Sequence, residues 1–217
     1  IGHFETWTDF FLSKGWQTTD YFANARNALD QNSNQIFNID NIEAYESIVL
    51  KRTNFKNMLI KRGIKTENNK VNINELSAKL LAASNVSHII STNEIETGNF
   101  SKVFETGSIN NVSFKVFETK IDPQRFTMVK DFKIAETMEQ INKTIINENF
   151  DPTKVAILEK NPGFKILNLQ NWNGKIIEET PNNLRLEINN NGDGLLILND
   201  TFYPGWKAYI DKKETEI

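Results

Sequence analysis

Residues 194–211 read Gly-Leu-Leu-Ile-Leu-Asn-Asp-Thr-Phe-Tyr-Pro-Gly-Trp-Lys-Ala-Tyr-Ile-Asp. The stretch opens on an unbroken apolar run, Leu195 to Leu198, of a length that suits a buried strand and is too short for a helix. It breaks at Asn199 and Asp200, passes the aromatic pair Phe202 and Tyr203, and turns at Pro204 and Gly205. Beyond the turn the residues alternate. Trp206, Ala208 and Ile210 fall on one face of an extended chain, and Lys207, Tyr209 and Asp211 on the other. Strand, aromatic corner, strand predicts part of a β-sandwich, with Trp206 on its inward face.

Upstream, the same pattern recurs. Short β-branched and aromatic runs at 100–105, 112–118, 126–130, 155–159, 165–170, 175–179 and 183–189 follow one another at about ten-residue spacing. Turns are expected at Asn161-Pro162-Gly163, Asn173-Gly174, Pro181-Asn182-Asn183 and Asn191-Gly192. One helix interrupts the series at about 136–148, with Met138, Ile141, Ile145 and Ile146 on one side.

The first part reads differently. Aromatics crowd residues 1–30, where Trp7, Phe10 and Phe11 have helical spacing. They suit either a membrane interface or packing onto a neighbouring domain. A loop is expected around Ala44-Tyr45-Glu46, then a helix carrying Ile48, Phe55 and Leu59, then an exposed loop over 62–70. Asn74 caps a helix with Glu75 in its first turn and Leu76, Leu80 and Ala83 as its stripe. Asn85 ends that helix, and a strand follows at 86–91.

The expected fold class is therefore α+β. A helix-rich α+β region spans 1–95, and an antiparallel, jelly-roll-like β-sandwich with its inserted helix spans 96–217. The chain starts on Ile1 and stops at Ile217 just after a hairpin begins, so it reads as a piece of a longer protein whose sandwich is cut short.

Composition narrows function. A formal charge of −3, with no basic stripe interleaved with aromatics, argues against nucleic acid. No 18-residue apolar window spans a membrane, and no signal peptide is present. Without cysteine there is no disulfide and no thiolate metal site. His3 and His88 lack an acidic partner at ligand spacing, so no metal is expected. No phosphate loop, dinucleotide fingerprint or nucleophile elbow occurs, and neither a cofactor nor a catalytic residue is assigned. The heavy use of asparagine, as in Asn189-Asn190-Asn191, reads as base composition rather than function.

Four residues are binding candidates: Asp200, Tyr203, Trp206 and Asp211. The aromatic rings can stack on a sugar, and the carboxylates and phenol can bond its hydroxyls. The competing reading puts Trp206 in the core and gives Pro204-Gly205 the job of shaping a corner.

The string from Leu196 to Asp211 closely resembles the signature that ends the soluble part of the bacterial YfhO-like membrane proteins, Leu-Leu-Ser-Glu-Thr-Tyr-Tyr-Pro-Gly-Trp-Lys-Ala-Tyr-Val-Asp. Weaker matches precede it in order: Ala44-Tyr45-Glu46-Ser47, Leu80-Leu81 with Asn85-Val86-Ser87-His88-Ile89-Ile90, Val116-Phe117-Glu118, and Phe150-Asp151-Pro152 with Val155-Ala156-Ile157-Leu158-Glu159. Together they cover about residues 36–217. The resemblance implies a parent with many transmembrane helices, similar to the C-type glycosyltransferases. Such a parent takes sugar from a polyprenyl-phosphate donor and decorates cell-envelope glycans. This chain would be its non-catalytic extracytoplasmic domain, partnered by the transmembrane portion of the same chain and by cell-envelope glycan or lipid-linked sugar. The alternative is a carbohydrate-binding sandwich that recognises the acceptor polymer. A free-standing secreted hydrolase is disfavoured, because no catalytic constellation is legible.

Overall fold

The computed structural model describes residues 35, 39–42, 51–108, 112–147, 149–163, 168–202 and 204–217. The aromatic segment at 1–30, the loop at 44–46, Ile48, residues 165–167 of the run at 165–170 and Tyr203 lie outside the described residues.

Helix α1 (Lys51–Arg62) leads through Gly63 into a hairpin of β1 (Ile64–Glu67) and β2 (Lys70–Ile73). The sequence expectation for 62–70 was a loop. The chain instead turns through Asn68 and Asn69, both left-handed at φ 50° and 61°, the geometry that suits a two-residue hairpin of right-handed twist. Asparagine tolerates that conformation because its short amide bonds to the local backbone. Polar composition hid the strands, but alternation survives in β2, where Val71 and Ile73 are buried and Lys70 and Asn72 exposed.

Asn74 then caps α2 (Glu75–Ala82) as expected, its side chain accepting from the Ser77 amide at 2.8 Å. Ser77 donates its hydroxyl to the Ile60 carbonyl at 2.9 Å and so joins α2 to the end of α1. Gly63 occupies the remaining gap. A Cβ there would collide with Ser77 Oγ and with the Asn74 side chain, both members of the cap. Asn85, at φ 59°, ends the helical path, and β3 (His88–Ser91) follows. The helix buries Ser77, Ala78, Leu80, Leu81 and Ala82, a wider face than the expected stripe.

Strand β4 (Glu94–Ile95) runs parallel to β2, giving the sheet order β1-β2-β4. Strands β5 (Phe100–Glu105) and β6 (Lys115–Thr119) join β3 in the order β3-β6-β5, all antiparallel. Ile89 lies opposite Phe117, which is 2% exposed. A single apolar cluster takes Leu59 and Ile60 from α1, Val71 and Ile73 from β2, Leu80 and Leu81 from α2, and Phe100 and Phe117 from β5 and β6. Strand pairing and core thus run straight across the boundary expected at 95/96.

Further along, β7 (Phe126–Val129) pairs antiparallel with β12 (Leu195–Leu198), so the opening apolar run is a strand, as its length predicts. Between them, β8 (Asp131–Ile134), α3 (Met138–Ile145) and β9 (Val155–Leu158) form a parallel pair bridged by a helix. This pair runs parallel within a region expected to be antiparallel. A parallel pair needs a crossover connection, and the helix read from the sequence is that crossover. It starts on a capping box, with Thr137 Oγ1 accepting from the Gln140 amide and Gln140 Oε1 from the Thr137 amide.

The long hairpin β10 (Asn171–Thr180) and β11 (Asn183–Asn191) turns at Pro181-Asn182. Asn173-Gly174 is therefore not a turn. Gly174 sits mid-strand, where a Cβ would lie 2.7 Å from a Phe126 ring carbon and 2.6 Å from Ile188 Cδ1. Glycine serves close packing here rather than chain reversal. Trp172 reaches the same ring, its centroid 6.1 Å from that of Phe126.

Last come β13 (Ala208–Ile210) and β14 (Lys213–Thr215), joined by Asp211 and Lys212 at φ 48° and 69°. Trp206 lies outside the strand and is 40% exposed, and Ile210 is 66% exposed. The inward placement of Trp206 is corrected: of the residues expected on that face only Ala208 is half-buried, and no described layer covers it. The class is α+β, with small sheets that do not close into a barrel.

Candidate functional site

The antiparallel ladder of β7 and β12 continues one step beyond the strands, where the Asn199 amide donates to the Arg125 carbonyl at 2.9 Å. That step brings Asp200 beside the Arg125 guanidinium. Nη2 of Arg125 lies 3.0 Å from Asp200 Oδ2 and 2.9 Å from Oε1 of Glu179, near the end of β10. Asn199 also donates its side-chain amide to the Gln124 carbonyl. Arg125 and Asp200 are each under a third exposed, so this pair is better shielded than an ordinary surface pair. Arg125 Nε is shut off from solvent without an acceptor. Asp200, proposed from the sequence to meet a sugar hydroxyl, is thus already held by a cation.

The other candidates lie beyond it. Trp206 follows Gly205, whose φ of 112° is open to glycine and strained for other residues. Asp211 is exposed in the hairpin turn, and Tyr203 is outside the described residues. Phe202, Trp206, Tyr209 and Ile210 are between 40% and 66% exposed, a concentration of apolar surface within nine residues. Lys207 Nζ meets Glu214 Oε1 at 3.3 Å across the hairpin. No described hydrogen bond joins Asp200 to Asp211. Of the three described candidates, Asp200 is a clamped carboxylate, whereas Trp206 precedes the exposed terminal hairpin and Asp211 lies in its turn.

Sequence reasoning missed Arg125, because its partners Asp200 and Glu179 are distant in the chain. It also missed a polar surface hollow of about 490 Å³ lined by Lys65, Glu67, Asn68, Lys70, Asn72 and Glu96. The Glu96 carboxylate, 2.5 Å from Lys70 Nζ, bonds that ammonium and raises its pKa. A third polar cluster ties β4, β5 and the segment before β6: Lys102 Nζ donates to Glu94 at 2.9 Å and to Glu105 at 2.8 Å, and Ser113 donates to Glu105 at 3.1 Å. These bonds, that from Lys102 foremost, hold the Glu105 carboxyl below its usual pKa.

His88 is exposed and bonds Ser87 Oγ at 2.9 Å. Among the described residues no group of three histidines or carboxylates is placed to hold a metal, and no helix is long and apolar enough to cross a membrane. Compared with known proteins, the chain matches no family model, no curated protein and no solved structure.

Proposed function

We propose that this chain is a non-catalytic extracytoplasmic domain of a YfhO-like integral membrane protein, the parent transferring sugar from a polyprenyl-phosphate donor to cell-envelope glycans. The observation that carries the reading is the exposure of Phe202, Trp206, Tyr209 and Ile210 within the segment that bears the family-like signature. Apolar surface concentrated in this way marks a contact face. In this reading its partner is the transmembrane portion of the same chain. Antibody against this chain should label intact cells of its source from outside, and the protein should stay with membranes after an alkaline wash. Recovery from the soluble cytosolic fraction would sink the proposal.

A second reading, a module that binds the acceptor glycan, is favoured by one feature. Trp206 is 40% exposed, so its ring is open to stacking. Binding of cell-envelope glycan that disappears in a folded Trp206→Ala variant supports this module, and binding unaffected by that change removes it.

A further inference from the structure

The long hairpin has two unlike faces. Trp172, Gly174 and Ile188 turn toward Phe126, as the ring contact and the Gly174 approach require. Pairing then fixes the other face. Asn171 lies opposite Asn191, Asn173 opposite Asn189, and Lys175 opposite Glu187. All six are exposed. Residues directly opposite one another in an antiparallel pair share a face, as do residues two apart along a strand, so four carboxamides form one continuous patch.

Composition alone does not account for this patch. Asparagine is disfavoured in strands, because its amide competes for backbone hydrogen bonds. That competition is visible here: the Asn171 amide donates to Asn191 Oδ1 at 3.0 Å. Asn189 Nδ2 donates to Asn173 Oδ1 at 3.3 Å, which orients both amides and leaves the second N–H of Asn189 and the NH2 of Asn173 directed away from that bond. The patch carries no unbalanced charge, because Lys175 and Glu187 pair at 3.1 Å. An ionic ligand therefore gains little from it. Carboxamides donate and accept without charge, as hydroxyls do, and opposite and successive amides are about 5 Å and about 7 Å apart.

We infer that the Asn171, Asn173, Asn189, Asn191 face binds a neutral, polyhydroxylated chain, a glycan without acidic groups. This site is separate from the aromatic hairpin and does not depend on the identity of the parent protein.

The test titrates the 217-residue chain with neutral hexasaccharides of glucose, mannose and N-acetylglucosamine, following the side-chain NH2 resonances by NMR. Shifts at Asn173 and Asn189 are expected in the unaltered protein. The double variant Asn173→Thr/Asn189→Thr should lose affinity by about ten-fold or more while its melting temperature holds or rises, because threonine suits a strand better. Four outcomes overturn the inference. They are no binding of any of the three sugars, unchanged affinity in the double variant, and binding lost in Trp206→Ala but kept in the double variant. The fourth is self-association that the double variant abolishes, which makes the face an interface between copies.

Discussion

Arg125 and Asp200, 75 positions apart, meet at 3.0 Å, and their contact fastens the start of β7 to the segment leaving β12. The pair is partly shielded and shares its cation with Glu179, so it contributes more than an isolated surface pair. Asp200→Ala should lower the unfolding free energy by about 1–2 kcal/mol. A double-mutant cycle with Arg125→Ala, read by urea denaturation, should give a coupling of about 0.5–1.5 kcal/mol. Zero coupling would make the contact energetically silent.

Gly63 is held against the cap of α2, and no side chain fits there without displacing Asn74 or Ser77. Gly63→Ala therefore combines overpacking with loss of a cap, at a cost of about 2–3 kcal/mol. Asn74→Ala alone should cost about 1 kcal/mol. Chemical denaturation of the two variants gives the order, and equal costs would contradict the close approach.

Asp151 gives the protein an acid-sensitive joint. Burial pushes its carboxyl pKa up, but bonds from the Thr153 hydroxyl and amide and the charges of Lys79 and Lys154 outweigh that, and the net shift is down. A depressed carboxyl pKa contributes stability that is present above the unfolded value, about 3.9, and is lost as pH falls through the folded one. Asp151→Ala should cost about 1–2 kcal/mol near neutrality. The gap from the unaltered chain should close under acid, as urea midpoints across pH will reveal. Lys79, raised mainly by its bond to Glu75, behaves oppositely. Its contribution is complete below the unfolded lysine pKa of about 10.4 and fades as alkali passes the folded value.

Lys212 sits at φ 69°, a left-handed conformation that costs a side chain with a Cβ about 1–2 kcal/mol. Lys212→Gly relieves the strain at some entropic cost in the unfolded chain, so a net gain of about 0.5–1 kcal/mol is expected in the terminal hairpin. Slower amide exchange at Tyr209 and Ile210 is the readout. Faster exchange would show that the strain is negligible.

Trp206 separates a core from a surface role. A buried tryptophan lost to alanine costs about 3–5 kcal/mol. At 40% exposure, Trp206→Ala should cost less than about 1 kcal/mol. A thermal melt decides between them.

The accuracy of the sequence reading followed the range of the forces involved. The Asn74 cap, the helix end at Asn85, the helix near 136–148 and the apolar run at 195–198 were all legible, because each is fixed by neighbours within a few positions. The hairpin at 64–73 was missed because Asn68-Asn69 looked like a polar loop, although the two residues make a turn. Gly174 was misread because what it avoids, the Phe126 ring, is remote in sequence. The candidate site divided in the same way. Trp206 was named in advance but expected on the inward face, and the Arg125 clamp on Asp200 was not foreseen.

By itself, then, the sequence determined the cap that starts α2, the presence of α3 and the strands β7 and β12, because caps and side-chain periodicity act locally. Only the tertiary structure decided which strand pairs with which, that β8 and β9 run parallel, that Asp200 meets Arg125 and that Trp206 is exposed. Those outcomes depend on which distant surfaces meet, and burial and ion pairing have no fixed sequence spacing.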